Sequence, residues 1–539
     1  MSEPTETASR PAEPSTRRSG DGSARRVSLA AALLAASVLL SRALGLVRDG
    51  VLAAKVGDSA AADAYNAAFQ IPDILNYFLA GGALAIAFVP LYTSARAREG
   101  PAAAEALFHK VLGTLGVAVV VATAGLWWWV DELIAFQFPR LEPEVRALTA
   151  DLTRIVLPAQ VFFVVGGVIR AVLMAHGRFW AQAFAPLLYN LGIILGGVLL
   201  APSLGIAGFA WGALGGAFLG PFAAAVIELR GRVRLGARFA PFDRDVIIYL
   251  GIAAPLMAGV TLLTVDEWYD RWFGQLGPEG TIAVLGYARR LMQVPVAVVG
   301  QALATAALPT LARLWSENRR EELDGLVLGT LKAGVAIGVL GGAATWVLAD
   351  PLVTIVYRRG AFDAAAAERV VATLRIFAFA VPAWIAQQIA VRPFYARGDT
   401  WRPMLLGTAV AAAAIPLYLR LSELGPTGLA AAGAIAISLN SVATLLLARR
   451  VHGAPHLGEL SWSIARVLAA AVLAAAAAEF VRPGGAGLGG AFVDLALGGG
   501  VFLGVATAGV LVFADAAARD AWLGLLRGLV RRLRGRASG

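Results

Sequence analysis

Long apolar stretches recur along almost the whole chain, and they constrain its fold more than any other feature. A helix needs roughly 20 apolar residues to cross a bilayer, and about fourteen stretches meet that length. Their centres lie near residues 40, 78, 120, 160, 191, 217, 258, 297, 335, 380, 411, 437, 471 and 502. Hydrophobic residues make up 58% of the 539 residues and charged residues 15%, where soluble domains carry about 25% charged residues. The sequence therefore predicts an all-α polytopic membrane protein.

Basic residues in the connecting segments predict how the helices insert. About 25 Lys and Arg lie in alternate connections and about 6 in the others, and basic loops stay in the cytoplasm. An even number of spans then places both termini in the cytoplasm. The net charge of +10 reflects these loops, so nucleic acid is not expected as a partner. Residues 1–26, rich in Ser, Pro, Glu and Arg, are predicted to form a disordered cytoplasmic tail.

Two sequence matches repeat at one offset of about 220 residues, the size of a duplicated transporter half. The matching segments are Gln70–Pro72 with Ala83–Pro90, repeated as Gln293–Pro295 with Ala302–Pro309, and Ala175–Trp180, repeated as Ala396–Trp401. We therefore expect two six-helix lobes, residues 27–240 and 241–455, related by a pseudo-two-fold axis along the membrane normal. Two further helices at 456–516 and a basic cytoplasmic tail at 517–539 complete the predicted chain.

Proline and glycine interrupt the second helix of each predicted lobe. The positions are Pro72, Gly81–Gly82 and Pro90 in the first lobe, and Pro295 and Pro309 in the second. Broken helices in matching positions of two halves indicate a transport site. The alternative is that these residues only bend the helices so that they pack.

The first apolar segment carries Arg42, Arg48 and Asp49 well inside its span. An ionisable side chain at that depth costs at least about 2.5–3.5 kcal/mol, so it should face a bundle interior or a wet cavity. Helical geometry places Arg42 and Asp49 on one stripe, with Arg48 beside it. Two interpretations stay open. The residues form an internal ion pair that fixes packing, or they form the cationic wall of a cavity for an anionic substrate.

Charged residues also mark the seventh and eighth helices. Arg290 and Gln293 share one face and are predicted to line the cavity, whereas Arg289 points elsewhere and is expected to snorkel to an interface. Asp266 and Asp270 share a face of the seventh helix. One of them is a candidate counter-ion, proton carrier or cation ligand. The alternative is that Asp270 pairs with an arginine of the eighth helix.

The sequence carries no set of residues typical of an enzyme. We find no P-loop, no GxSxG motif and no paired carboxylates supported by a histidine. The four histidines have no metal-ligand pattern, and there is no cysteine. We therefore predict no enzymatic activity, no cofactor and no metal, with transport driven by an ion gradient, the membrane potential or a partner.

Six motifs follow one another in order along the chain. They are Ser41-Arg-x-Leu-Gly-x-x-Arg-Asp49, Ala62-Asp-Ala64, the Ile71-Pro72 break, Gly82-Ala-x-x-x-Ala-Phe-Val-Pro90, Ala288-x-Arg-Leu-x-Gln-x-Pro295 and Phe394-Tyr-Ala-Arg-Gly-Asp-Thr400. Their order and spacing resemble the MurJ (MviN) lipid II flippases of the multidrug/oligosaccharidyl-lipid/polysaccharide exporter superfamily. The resemblance runs from about Ser28 to the C-terminal helices.

The resemblance implies a central cavity for the pyrophosphate and sugars of a lipid-linked peptidoglycan precursor, with the polyprenyl tail in a groove beside the last two helices. By position, Arg42, Arg48 and Arg290 match cavity arginines of the family, and Asp63 matches an acidic position. The predicted substrate-binding set is completed by Ser41, Asn76 and Gln293, with Asp266 and Asp270 as candidate ion-coupling residues.

Two departures from the family accompany this prediction. Enterobacterial members carry an Arg pair and a Glu in the second helix, where this chain has Asn76, Tyr77 and Gly81. The eleventh helix, at Arg402–Arg420, has no carboxylate or amide side chain for the sodium site that some members have. One substrate-contacting arginine is therefore missing, and the eleventh helix gives no support for sodium coupling, so the coupling ion stays open.

The predicted function is flipping of lipid II across the bacterial cytoplasmic membrane by alternating access. Lipid II and membrane lipids are the expected partners. The oligomeric state has no sequence signal, and a monomer is expected. One alternative is an exporter of another polyprenyl-linked oligosaccharide. A second is a cation-coupled multidrug exporter, which would need an acidic, apolar cavity, and the arginines of the first and eighth helices argue against it.

Overall fold

The structure is a computed structural model that describes residues 20–80, 83–258, 262–296, 301–485 and 487–537. Within these ranges all regular secondary structure is helical, so the predicted all-α fold is confirmed. The first lobe contains α1 Gly20–Val56, α2 Ala60–Ala68, α3 Gln70–Ala80, α4 Ala83–Arg98, α5 Pro101–Trp128, α6 Val130–Gln137, α7 Pro143–Val156, α8 Ala159–Ala175, α9 Trp180–Leu195, α10 Ala201–Leu204, α11 Ala207–Ala217 and α12 Ala225–Leu229. Short π-helical turns at Gly196–Leu200 and Phe218–Ala224 join the last four of these into two longer rods.

The second lobe and the C-terminal helices continue the same pattern. They are α13 Arg244–Ala258, α14 Leu262–Gly274, α15 Thr281–Pro295, α16 Gln301–Ser316, α17 Arg320–Val347, α18 Ala349–Val356, α19 Ala364–Ala390, α20 Arg392–Ala396, α21 Trp401–Leu421, α22 Gly425–His452, α23 Leu457–Val481, α24 Gly487–Phe513 and α25 Ala516–Ala537. Helices α23 and α24 pack on each other and against α17 and α18 of the second lobe.

Nine helical stretches of the described residues are long and apolar enough to span a bilayer. They are Pro101–Trp128, Pro143–Ala175, Trp180–Leu204, Ala207–Leu229, Arg320–Val347, Ala364–Ala396, Trp401–His452, Leu457–Val481 and Gly487–Phe513. The 52-residue stretch turns at Ser422–Leu424 and holds both α21 and α22. The predicted helix centres fall within helices, except the one near 297, which lies outside the described residues. The count of fourteen stays a prediction.

The second predicted span is broken, as the sequence suggests. It consists of α2, α3 and α4, and the first break is at Phe69, just before Gln70. Pro72 lies in the first turn of α3, where a missing N–H costs little, and α4 continues through Pro90. Gly81–Gly82 and the segment after Pro295 in the matching helix lie outside the described residues.

Glycines bring two helices of the first lobe into close contact. A Cβ atom at Gly192 of α9 would lie 2.5 Å from the Cα atom of Gly216 on α11. Just after α9, at the start of the π-helical turn, a Cβ atom at Gly196 would lie 2.5 Å from the Cα atom of Gly212. Membrane helices use small residues in this way because lipid supplies no hydrophobic force between them, so association depends on close packing.

The chain ends differ from the tails that the sequence predicts. Helix α1 begins at Gly20, inside the segment predicted to be disordered, and residues 1–19 lie outside the described part. Most of the predicted basic tail forms α25, in which Ala518 and Trp522 are buried. The indole N–H of Trp522 donates to the hydroxyl of Thr507 at 3.1 Å. The apolar positions four residues apart explain this docking, since they form one helix face.

Candidate functional site

A polar cavity lies between the two lobes, inside a bundle that is otherwise largely apolar. Its volume is about 190 Å³. Helices α1, α2, α3, α9 and α11 line it from the first lobe, and α14 and α15 from the second. The lining side chains are Arg48, Asp49, Leu52, Tyr65, Asn66, Phe69, Asp73, Tyr189, Ile193, Phe209, Arg271 and Arg290. Three guanidinium groups and two carboxylates therefore meet in one space, with a formal excess of one positive charge.

Arg48 and Asp49 occupy adjacent positions on α1 and both reach the cavity. The Nε atom of Arg48 donates to Oδ1 of Asp49 at 2.9 Å, and its Nη1 atom donates to Oδ1 of Asn190 at 3.1 Å. The Nδ2 atom of Asn190 in turn donates to the hydroxyl of Ser41 at 3.2 Å. Ser41 thus holds the asparagine that orients Arg48, and it is not among the residues that line the cavity.

Arg290 reaches the same carboxylate from the other lobe. Its Nη1 atom lies 3.1 Å from Oδ1 of Asp49, and its Nη2 atom lies 3.3 Å from Oδ1 of Asn66. Asp49 is 1% exposed, so this ion pair is far less screened than a surface pair. The internal ion pair of the first interpretation is therefore present, and it forms part of the cavity wall. That this wall receives an anionic substrate stays a prediction.

A third arginine of the cavity, Arg271, has a different carboxylate partner. Its Nη1 atom lies 2.8 Å from Oδ2 of Asp73 on α3. Asp266 and Asp270 are predicted from the sequence to share a helix face, whereas no role is predicted for Arg271. The signal was present: Asp73 and Arg271 are opposite charges on two predicted spans, but sequence alone does not show which spans are neighbours.

Three other predicted site residues lie elsewhere in the structure. Arg42 is half-buried on α1, seven residues before Asp49 and so about 10 Å along the helix axis, and it is not among the lining residues. Asn76 is half-buried on α3 and also outside the lining set. Gln293 donates from Nε2 to Oε1 of Glu267 at 2.8 Å. Contact of these residues with substrate stays a prediction.

Arg289 does not snorkel, so that prediction was wrong. It is 4% exposed and lies between the two acidic residues of α14, with its Nη1 atom 2.6 Å from Oδ2 of Asp266 and its Nε atom 2.5 Å from Oδ2 of Asp270. The hydroxyl of Tyr418 donates to Oδ1 of Asp266 at 2.8 Å, and the guanidinium lies 4.9 Å from the ring centre of Phe377. Asp270 is therefore paired with an arginine of the eighth helix, as the alternative interpretation has it.

Asp63 joins the lobes without reaching the cavity lining. Its Oδ2 atom accepts from the backbone N–H of Gly280 and its Oδ1 atom from that of Ala283, both at 2.7 Å. A helix N-terminus leaves N–H groups without intrahelical partners and favours a negative charge. Asp63 therefore caps α15 from the opposite lobe. A role for it in substrate binding stays a prediction.

Further contacts between the lobes cluster around this cap, in what we call the closed end of the bundle. It comprises the segments 54–63, 275–287 and 357–369. The contacts are Tyr287 Oη to Gly57 O at 3.0 Å, Ala361 N to Ala54 O at 2.9 Å, Ala60 N to Glu279 Oε1 at 2.8 Å, and Arg369 Nε to Asp58 Oδ2 at 2.8 Å. These contacts form a seam that holds the two lobes together at the closed end.

An apolar groove of about 520 Å³ runs between α17, α19 and α23 on the outside of the second lobe. Val339, Trp346, Phe379, Leu468 and Val472 are among the residues that line it. Phe379 is 73% exposed, so in a membrane its ring contacts lipid. Within the described residues no group of three or more His, Asp or Glu side chains is arranged to hold a metal ion.

A family model described as lipid II flippase MurJ matches residues 52–483 of the chain. The chain belongs to the MurJ family. A probable lipid II flippase MurJ of Rhizobium tropici is 29% identical over 449 residues, covering 80% of this chain and 81% of the relative. A lipid II flippase MurJ of Burkholderia cenocepacia is 28% identical over 451 residues, covering 81% and 86%.

Solved structures agree with the MurJ fold. A lipid II flippase MurJ in an inward closed conformation superposes with a TM-score of 0.75 at 19% identity, covering 89% of this chain and 99% of that one. An inward-facing multidrug transporter of the MATE family in the MOP superfamily superposes with a TM-score of 0.65 at 15% identity, covering 76% and 94%. This MurJ family member is therefore an integral membrane protein with the transporter fold that the sequence predicts.

Proposed function

We propose that this MurJ family member flips lipid II, or a closely related polyprenyl-pyrophosphate-linked precursor, across the cytoplasmic membrane by alternating access. The observation that carries the proposal is the inter-lobe cavity, in which Arg48 of the first lobe and Arg290 of the second share one buried carboxylate, Asp49. A guanidinium is a planar fork that matches two oxygens of a phosphate group. A pyrophosphate between these residues would contact both lobes at once.

The buried carboxylate sets the energetic conditions for binding. Asp49 compensates the two arginines, so their charges can be held inside the bundle despite the cost of desolvation. A pyrophosphate offers more negative charge than one carboxylate and can satisfy further guanidinium N–H groups. The Nη1 atom of Arg290 is buried and makes no hydrogen bond of good geometry to any described residue, although it lies 3.1 Å from Oδ1 of Asp49. A phosphate oxygen could therefore take the place of that carboxylate and accept a better-aligned hydrogen bond.

The apolar groove beside α23 is the candidate binding site for the lipid tail. Its wall is built of aliphatic and aromatic side chains of α17, α19 and α23, with Glu479 at the rim. A polyprenyl chain in this groove would keep its methylene and methyl groups out of water while the charged head group crosses through the cavity. Transport then needs no enzymatic step, and no cofactor is required.

The position of the closed end indicates the direction in which the head group would be transported. By the distribution of basic residues, α1 ends on the side away from the cytoplasm, and there the lobes are joined by Asp63 and the contacts around it. The head group would then enter from the cytoplasmic side, and release would require these contacts to break. Both chain termini would lie in the cytoplasm.

Complementation of a strain depleted of its own flippase tests the proposal. Arg48→Ala and Arg290→Ala should abolish rescue while membrane levels stay near wild type. Arg420→Ala is the matched control, because Arg420 is 78% exposed in its side chain and is not among the residues that line the cavity. Failure of the wild-type chain to rescue, with purified protein that binds no lipid II, would refute the proposal.

A lysine variant separates a phosphate clamp from a simple positive lining. Arg290→Lys keeps the charge but loses the fork, so lipid II affinity should fall about ten-fold, equivalent to about 1–2 kcal/mol. Wild-type affinity in this variant would show that charge alone matters. That result would favour the alternative function, export of other anionic polyprenyl-linked oligosaccharides.

A further inference from the structure

The pair formed by Arg271 and Asp73 repeats, in the same cavity, the arrangement of Arg290 and Asp49. In each pair a guanidinium of the second lobe meets a carboxylate of the first lobe, at 2.8 Å and 3.1 Å respectively. Both pairs line the 190 Å³ space. Two inter-lobe ion pairs that face one cavity match a ligand that carries two linked anionic groups.

Arg271 lines the cavity and has hydrogen-bonding capacity that no described residue uses. Its hydrogen bonds to Asp73 and Gln70 both use Nη1, and its Nε and Nη2 atoms make no hydrogen bond to any residue that the structure describes. A guanidinium carries five N–H donors. The Arg271 side chain is 18% exposed, so the unused donors remain accessible to a ligand.

A comparison with Arg289 shows what a structural arginine looks like in this protein. Arg289 is 5% exposed in its side chain and is surrounded by two carboxylates and an aromatic ring. Arg271 has one carboxylate partner, and that carboxylate is itself 43% exposed. A partner that is only partly buried costs less to displace than one held in the core.

We infer that Arg271 is a further phosphate-binding residue of the cavity and that Asp73 is the carboxylate that substrate phosphate displaces from it. The inference rests on the proposed function and deepens it, since it assigns one inter-lobe arginine to each phosphate of a pyrophosphate. Asp49 keeps a partner after displacement, because Arg48 lies 2.9 Å away. Asp73 has Arg271 as its one ion-pair partner among the described residues, so it repels the bound anion.

This difference gives the inference a distinctive test, namely opposite effects from the two halves of one ion pair. In lipid II binding to the purified full chain, Arg271→Gln should weaken affinity about ten-fold, because a charge-assisted contact is lost. Asp73→Asn should leave affinity unchanged or tighten it, because a competing negative charge is gone. Arg271→Lys should lie between Arg271→Gln and wild type, since it keeps the charge without the fork.

The matched control is the pair Arg369 and Asp58, which also joins the lobes but lies at the closed end. Arg369→Gln and Asp58→Asn should each change affinity less than two-fold. A second probe, a polyprenyl pyrophosphate without sugars, separates the two hypotheses. If the wild-type chain binds this probe in an Arg271-dependent way but not lipid II, the lipid II assignment fails and the role of Arg271 stands.

Two results would overturn the inference. In the first, Arg271→Gln binds both probes as tightly as wild type. In the second, Arg271→Gln and Asp73→Asn weaken binding equally and lower the melting temperature equally, which would make the pair a structural link between the lobes. A polyprenyl monophosphate gives a further check, because it lacks the second phosphate that the inference assigns to Arg271. Its affinity should fall less in Arg271→Gln than the affinity of the pyrophosphate.

Discussion

The cap that Asp63 places on α15 should control how readily the closed end opens. The carboxylate accepts two backbone N–H groups across the lobes at 2.7 Å each. Asn at this position can accept through one oxygen only and carries no charge for the helix N-terminus. A hydrogen bond to a charged group contributes about 1.5–3 kcal/mol, and the charge at a helix N-terminus about 0.3–1 kcal/mol.

Asp63→Asn should therefore destabilise the closed end by about 2 kcal/mol relative to a state in which these contacts are broken. An energy of this size changes the ratio of closed to open protein about 30-fold. The shift is expected only if opening of the closed end breaks the cap, so the experiment tests the structural role of the contact directly.

The absence of cysteine from the chain makes a thiol assay straightforward. Ala283→Cys places one thiol in the first turn of α15, at a position that is fully buried. Alkylation of this thiol in purified protein reports the open fraction, because only an opened seam admits the reagent. The rate should rise about 30-fold when Asp63→Asn is added.

Asp151→Asn is the matched control for that measurement. Asp151 lies on α7 of the same lobe, and its side chain is 70% exposed, so its loss should leave the alkylation rate unchanged. Equal rates in the Asp63→Asn and Asp63 backgrounds would refute the reasoning. The cap would then either persist in the open state or contribute nothing to closure.

Three further predictions follow from other parts of the molecule. Cysteines introduced singly at Ser23 and Ser538 should resist membrane-impermeant thiol reagents in intact cells, and labelling of either would contradict the cytoplasmic termini. Arg289→Gln should sharply reduce the amount of folded protein in membranes, since removal of one partner from a buried ion pair costs about 3–5 kcal/mol; normal yield and melting temperature would contradict this structural role. Gly192→Ala should lower the melting temperature, because its Cβ atom would lie 2.5 Å from the Cα atom of Gly216, and an unchanged value would show that the helices can separate without cost.

The fold can be predicted well from the sequence, because a bilayer restricts the backbone to very few kinds of structure. Backbone polar groups in lipid must be satisfied within a helix, so apolar length alone identifies most spans. The broken second helix was also predicted, because a Gln-Ile-Pro sequence at Gln70 is a local signal. Only a basic tail is predicted from the sequence where the structure has α25. The apolar face of that helix is visible in the sequence, but its partner, α24 with Thr507, is not.

The candidate site was predicted less completely, for a reason that concerns pairing. Sequence identifies which spans carry charges, because such charges are costly in lipid, and Arg48, Asp49 and Arg290 were found in this way. It does not show which helix faces which. Arg289 and Arg290 are adjacent in the chain, yet one completes a buried cluster with α14 and the other lines the cavity. Their side chains point in directions about 100° apart, because an α-helix rotates by that angle per residue.

That separation explains how one helix can serve two purposes. Through Arg289, α15 is fixed to α14 within the second lobe by ion pairs that are buried and hard to break. Through Arg290, the same helix contacts Asp49 of the first lobe by a pair that lines a cavity and that, under the proposed function, an anionic ligand would replace. Rigid connection within a lobe and exchangeable connection between lobes are the two requirements of a rocking transporter. Because both arginines lie on α15, a phosphate that binds Arg290 acts on an element that is firmly joined to the rest of its lobe.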